Sequence, residues 1–368
     1  MSFVNQNFRP PILIKLTKFE SNYKDIHMKT FYAVVLSVCV LLFSGSAYAG
    51  SDKFNVIYET DIGNDIDDAL ALDMLYKYHE MGKINFVAVM LNKCDSAPAE
   101  YMDINNTWYG YPDMPVGIVR DGSNDPGGLY AQQVVDLKHE DGTPMFKRSH
   151  SDYDKLPDAH ILYRKLLAQM PDNSVVIASV GFSTNLARLL ETPADEYSKL
   201  TGAELVKKKV RFLSAMAGDL RKGNRAEYNV RFDIPAAQKV FHEWPTPIVI
   251  SPFEVGMVIQ YPGASIENDF DWANGLHPMI ESYKAYKQMP YDRPTWDLTS
   301  VLYAAEGAEW FTVSPMGRIE VNDKGSMFFI PDPKADRCYL SVNEEQISRI
   351  LKRFQEVITS KTAVHANN

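Results

Sequence analysis

The chain has 368 residues, 45% of them hydrophobic and 23% charged, and a formal net charge of −9 at neutral pH. This is globular composition with apolar material for a sizeable core, in one large α/β domain or two smaller ones. The acidic balance excludes the electrostatic footprint of a nucleic-acid binder, and Cys94 and Cys338, the two cysteines beyond residue 50, make neither a disulfide framework nor a zinc site.

In chain order, the first predicted element is MKTFYAVVLSVCVLLFSGSAYAG (28–50), with basic Lys29, an apolar run from Phe31 to Phe43 and the small-residue ending Ala47-Tyr48-Ala49. That pattern predicts a secretory signal peptide. Its apolar run is shorter than the ~20 residues that span a bilayer comfortably; a retained signal-anchor is the alternative reading. Residues 1–27 precede it as an upstream extension. The expectation is a single catalytic domain over 50–368, exported to an oxidising compartment such as the periplasm, with no stable membrane anchor after cleavage.

Downstream, FNVIY (54–58), NFVAVML (85–91), PVGIV (115–119), SVVIASV (174–180), VRFLSAMA (210–217) and TPIVIS (246–251) read as strands. Between them DDALALDMLYKYHEMG (67–82), STNLARLLE (183–191) and IPAAQKVFHEW (234–244) carry helical spacing. Continuous apolar strands alternating with helices predict the α/β class, a mainly parallel open sheet covered on both faces. After about residue 305 the character changes: GRIEVNDKGSMFFIP (317–331) and RCYLSV (337–342) read as hairpin strands and NEEQISRILKRFQEVI (343–358) as a closing helix on the same domain.

The first strand runs into ETDIGNDIDD, which places Glu59, Asp61, Asp65, Asp67 and Asp68 within ten positions. Ligands of open parallel sheets bind outside the carboxyl ends of the strands. Asp67 and Asp68 also open a helix, where caps favour carboxylates, but capping needs only one or two acids. Five repel one another unless a cation neutralises them, and an oxygen-only set favours calcium or magnesium over zinc. An EF-hand fails because Leu72 stands where its glutamate belongs, HEMGK (79–83) lacks the second histidine of a zinc protease, and GFSTN (181–185) lacks the second glycine of a nucleophile elbow.

Four ordered stretches together resemble the calcium-dependent nucleoside hydrolases of the inosine–uridine preferring type: ETDIGNDIDDAL (59–70), ASVGFSTNLA (178–187), AGDLRKGNRAEYNVRFDIPAAQKVF (217–241) and YDRPTWDLTSVLYA (291–304). The resemblance implies hydrolysis of a ribonucleoside to ribose and free base, a small-molecule substrate, and a Ca2+ cofactor whose bound water attacks the sugar. Carried over by motif, it implies that Asp61, Asp68, the carbonyl of Val180 and Asp297 hold the calcium, with Asp61 also accepting the water's proton. Asp67, Asn224, Glu227 and Asn229 would hold the sugar hydroxyls, and Trp296 would line the leaving-group side.

The chain departs from the pattern in four places. Glu59 replaces the first aspartate, two extra residues precede Asp67-Asp68, Trp296 stands where a histidine commonly precedes the late aspartate, and the glycine–asparagine turn after the second strand gives way to LNKCDSAPAEYMD (91–103). There Asn92 or Asp95 would supply the polar contact. Bland readings stand beside these roles: Asp67 as a helix N-cap, Asn185 as a cap of LARLLE, Asp233 as a cap of the next helix, Glu227 and Asn229 serving backbone groups on alternate positions of an extended segment, and Trp296 as core packing. Two other functions stay open, an exported hydrolase of another riboside or ribosylated cofactor and a non-catalytic calcium and nucleoside binder, and a homo-oligomer is left open as well.

Overall fold

The computed structural model describes residues 53–123, 130–222 and 225–365. The predicted signal segment and Asn224 lie outside the described residues. Six strands follow the predicted order: β1 (Phe54–Thr60), β2 (Ile84–Leu91), β3 (Val116–Ile118), β4 (Val175–Ser179), β5 (Val210–Met216) and β6 (Ile248–Ser251). The helices that matter for the site are α1 (Asp67–Glu80), α2 (Ser96–Trp108), α3 (Ala159–Gln169), α4 (Thr184–Glu191), α5 (Tyr228–Arg231), α6 (Ile234–Glu243), α7 (Phe253–Val258), α8 (Trp296–Glu306) and α9 (Glu344–Ile358).

Pairing is parallel throughout β1–β6. Residues along β1 alternate between two apolar clusters: Val56 and Tyr58 pack into one and Ile57 into the other, all fully buried. Both faces of the strand are therefore covered, which is why its sequence is continuously apolar rather than alternating.

Beyond the parallel part lie β7 (Gln260–Tyr261), β8 (Arg293–Pro294), β9 (Thr312–Val313), β10 (Gly317–Val321), β11 (Met327–Pro331) and β12 (Arg337–Ser341). β10 and β11 form the predicted hairpin, and along β10 buried and exposed residues alternate as they do where one face meets water. RCYLSV differs from its hairpin expectation: β12 inserts between β10 and β6, antiparallel to the first and parallel to the second. The chain reaches that slot only after completing the hairpin, so local sequence could not show it. Among the described residues no helix is long and apolar enough to cross a membrane.

The strand order is β11-β10-β12-β6-β5-β4-β1-β2-β3. From β1 the chain builds outward to β2 and β3 on one side and from β4 to β5 and β6 on the other. The order reverses between β1 and β4, and such a switch point opens a crevice at the carboxyl ends of its two strands.

Candidate active site

Both strands that flank the switch point end in site residues. Asp61 follows β1 and Val180 follows β4, and the Val180 N–H donates to the Glu59 carbonyl at 2.8 Å. The next residue must be glycine: a Cβ on Gly181 would stand 2.5 Å from the Asp61 nitrogen and 2.2 Å from Asn92 Oδ1. Only a bare backbone lets the two strand ends approach this closely.

Two helices aim their N-termini at the same spot. Asp67 and Asp68 occupy the first turn of α1 and Asp297 the first turn of α8, and the Asp297 N–H donates to Asp67 Oδ2 at 3.1 Å. The positive ends of two helix dipoles thus meet the carboxylates. Asp67 is not the N-cap considered from sequence; Ile66 holds that position and Asp67 lies inside the helix with its side chain turned to α8. Thr60 Oγ1 donates to Asp68 Oδ1, fixing the second carboxylate.

Carboxylate oxygens of Asp67, Asp68 and Asp297 lie within 4.8 Å of one another, and all three side chains are buried. Burial pushes each well above the usual carboxylate range, and the neighbouring acids push further: Asp65 and Asp68 on Asp67, Asp61 on Asp68, Asp67 and Asp68 on Asp297. Asp61 is raised to about 7 by burial, while the Lys93 ammonium draws it down and Asp65 and Glu227 add to the rise. The tight triad therefore contains Asp67, which the sequence resemblance gave to the sugar, and Asp61 stands beside it.

A cavity of ≈ 230 Å3 opens on this cluster. Its lining brings together Asp61, Asp67, Asp68, Val180, Glu227, Asn229, Trp296 and Asp297, so each site residue predicted within the described residues faces it. Glu227 and Asn229 correct their expected local structure. Glu227 is the N-cap of α5, accepting from the Asn229 N–H at 3.0 Å and the Gly218 N–H at 3.1 Å, and Asn229 lies within that one-turn helix. A capping glutamate after an extended residue reads like a strand in sequence, which explains the difference. Burial raises Glu227 to about 6, against the pull of these backbone donors. The Asn229 amide donates to the Val180 carbonyl at 2.8 Å, joining α5 to the end of β4.

Trp296 is half-buried against Phe253 of α7, with ring centroids 5.3 Å apart, and its indole N–H donates to the Phe253 carbonyl at 2.9 Å. Gly256 makes that contact available, since a Cβ there would stand 2.3 Å from Trp296 Cα. The Arg293 guanidinium lies 5.2 Å from the Trp296 ring and pairs with Asp65 through Nε at 2.9 Å. Trp296 is neither free to donate its proton nor simply core; it is a fixed part of the cavity wall.

Asn92 does not reach the cavity: it donates to Glu59, which also accepts from Tyr163 Oη at 2.6 Å and Asn185 Nδ2 at 2.8 Å. Burial raises Glu59 to about 7 in spite of these donors. Asn185 therefore supports Glu59 instead of capping α4, while Asp95 is exposed ahead of α2. Asp233 does cap α6, accepting from the Ala236 N–H at 3.2 Å.

Sequence reasoning assigned no role to Asn64, Asp65, Met216, Tyr228 or Phe253, all of which line the cavity. Asn64 and Asp65 fall in the lengthened turn, whose two extra residues were visible. Nothing local marks Phe253; its place just beyond β6 becomes meaningful only when the sheet order is known. A larger groove of ≈ 530 Å3 beside β10 is lined by His242, Arg318, Glu320 and Arg337 among others, but it lies away from the switch point and holds none of the cluster.

The family model for inosine-uridine preferring nucleoside hydrolase matches residues 56–350. A purine-preferring ribonucleoside hydrolase from Gardnerella vaginalis has a similar structure, with a TM-score of 0.64 and 14% identity over 83% of this chain and 98% of that one. An inosine-uridine preferring nucleoside hydrolase from Bacillus anthracis gives 0.59 and 17% over 82% and 99%. The type III effector protein XopQ, solved with adenosine diphosphate ribose, gives 0.58 and 16% over 84% and 95%. At these identities the structural likenesses carry the fold. Among curated proteins none matches the chain by sequence.

Proposed function

The chain belongs to the inosine-uridine preferring nucleoside hydrolase family and is a hydrolase of the N-glycosidic bond of ribonucleosides; from that premise we propose which of its residues do the work. The observation that carries the assignment is the convergence of buried Asp67, Asp68 and Asp297 on one cavity beside Asp61. Carboxylates and a backbone carbonyl are hard oxygen donors, and repulsion among them is relieved by a hard cation, so the donor set fits Ca2+. Asp61, Asp68, Asp297 and the Val180 carbonyl would hold it, with Asp67 bridging from the triad to the sugar. When bound, such an ion polarises the attacking water and neutralises the acids around it.

The chain's own residues supply the rest. Asp61, at the end of β1 and facing the cavity beside the triad, is placed to accept the water's proton. Glu227 and Asn229 sit on the rigid N-terminus of α5 and hold the sugar hydroxyls together with Asp67, an arrangement that penalises sugars lacking those hydroxyls. Trp296 and Phe253 wall the leaving-group side. Catalysis resides in the part of the chain beyond residue 50, and the segment 28–49 directs export to the periplasm; N-terminal sequencing of the protein from its native host should begin at Gly50.

A ribosylated cofactor as substrate draws on one further observation, the guanidiniums of Arg221 and Arg225 at 4.9 and 4.4 Å from the Phe253 ring. Product analysis on nucleosides and on ADP-ribose, with and without a strong chelator, tests both readings. Free ribose and base formed only without chelator is the expected result; full activity in chelator would sink the cation's role.

A further inference from the structure

The departure at Trp296 removes the usual imidazole and leaves open which group protonates the departing base. Carboxylates of the cluster are suited to the cation and the water. Glu227 is given to the sugar hydroxyls and is held there as an acceptor of backbone N–H groups, and the Trp296 N–H is committed to the Phe253 carbonyl. Asp65, a further carboxylate of the lining, is paired with the Arg293 guanidinium, and the phenol of Tyr228 faces the same cavity.

Tyr228 is placed by the same one-turn helix as Glu227 and Asn229 and lines the cavity with them. Its Oη accepts a hydrogen bond from Asn64 Nδ2 at 3.1 Å. Asn64 Oδ1 in turn accepts from the Lys93 ammonium at 2.6 Å, and Lys93 is buried, only 3% exposed. The Arg231 guanidinium stands 5.0 Å from the Tyr228 ring. A hydrogen bond into the phenol oxygen, backed by a buried cation, stabilises the phenolate and strengthens donation of the phenol proton. Asn64 belongs to the lengthened turn and Lys93 to the segment that replaces the glycine–asparagine turn, so two of the chain's departures build one hydrogen-bonded chain.

We propose that Tyr228 is the general acid for the leaving group, with Asn64 and Lys93 as positioning residues; this rests on the hydrolase reading above. As the C1′–N bond breaks, its electron pair passes to the base, and the base nitrogen takes the Tyr228 Oη proton. The water oxygen bonds to C1′ and gives its proton to Asp61. Solvent then reprotonates the phenolate and takes the proton from Asp61, so the net reaction consumes one water.

The test compares inosine, which needs protonation to leave, with 4-nitrophenyl riboside, which does not. Tyr228→Phe should lower kcat on inosine by about 10²-fold, the lower range for general acid catalysis, and leave the nitrophenyl rate within about threefold. Asn64→Ala, which keeps the phenol, should lower the inosine-to-nitrophenyl ratio in the same direction by a smaller factor. Equal losses on both substrates in Tyr228→Phe, or an unchanged ratio in both variants, would overturn the assignment while leaving the hydrolase reading intact. A wild-type protein that cleaves neither riboside would overturn both.

Discussion

Helix α1 carries two buried acidic sites barely two turns apart, and they are built on opposite principles. At its N-terminus Asp67 and Asp68 face Asp297 across the cavity, acid against acid. Further along, Asp73, 1% exposed, accepts from Tyr109 Oη and lies 3.7 Å from the Lys77 ammonium and 3.5 Å from His277 Nε2. Lys77 also donates to the Ile358 carbonyl at 2.7 Å, so this second site ties α1 to the end of α9. Burial is the same in both. The protein has brought its own cation to Asp73, whereas at the N-terminus it has gathered further carboxylates. Burial of an acid points to a ligand site where the surrounding chain adds more like charge than its own cations offset, as at Asp67, Asp68 and Asp297 despite Lys93 nearby.

The largest effect should come from breaking the first site. Asp68→Ala or Asp297→Ala should lower hydrolysis by roughly 10³-fold or more, since Lewis-acid stabilisation is worth several kcal/mol and each ~1.4 kcal/mol is a decade in rate. Calorimetric titration with Ca2+ should show binding lost. The stability signs should differ between the two sites. Without cation, Asp68→Asn relieves repulsion and should raise the denaturation midpoint, while Lys77→Met strands Asp73 and should cost about 3–5 kcal/mol. A fall in midpoint for Asp68→Asn would break the comparison.

Next in size is the response to cation and pH. A ligand at 100 times its Kd that binds only the folded state stabilises by about 2.7 kcal/mol, and this gain should vanish in Asp68→Ala and survive in Lys77→Met. Glu59 rises from 4.5 to about 7 on folding because it is buried, its three donors notwithstanding. The native state therefore keeps a proton that the unfolded chain has released, and stability of the cation-free protein should fall as pH rises from about 4.5 to about 7. Melting curves in chelator should show this slope, and Glu59→Gln should reduce it, the remainder coming from Asp61, Glu227 and the triad.

These contrasts bear on what the sequence made legible. The floor of the cavity was, because strand ends and helix starts are local features: an acid after β1 and two acids opening α1 can be read from ETDIGNDIDD alone. The six parallel strands were legible for the same reason, since a strand covered on both faces is apolar throughout. The wall was not. Phe253, Arg293 and Tyr228 meet Trp296, Asp65 and Asn64 from segments far apart in the chain, and only the sheet order and the glycine contacts at Gly181 and Gly256 bring them together. Asp73 was passed over because a lone acid on a helix carries no signal until its partners from other helices are known.

Trp296 sharpens the division between floor and wall with the smallest expected effect. Its ring is held by Phe253 and Arg293 and its N–H by the Phe253 carbonyl, so it shapes the space for the base. Trp296→Phe keeps an aromatic face and loses one hydrogen bond, a change of about 0.5–1.5 kcal/mol. Interactions made equally in ground and transition states appear in KM. Trp296→Phe should therefore raise KM by up to about tenfold with kcat nearly constant, and Ca2+ affinity should not move. A fall in kcat on inosine that is absent with 4-nitrophenyl riboside would instead place the indole in the proton path that is assigned to Tyr228.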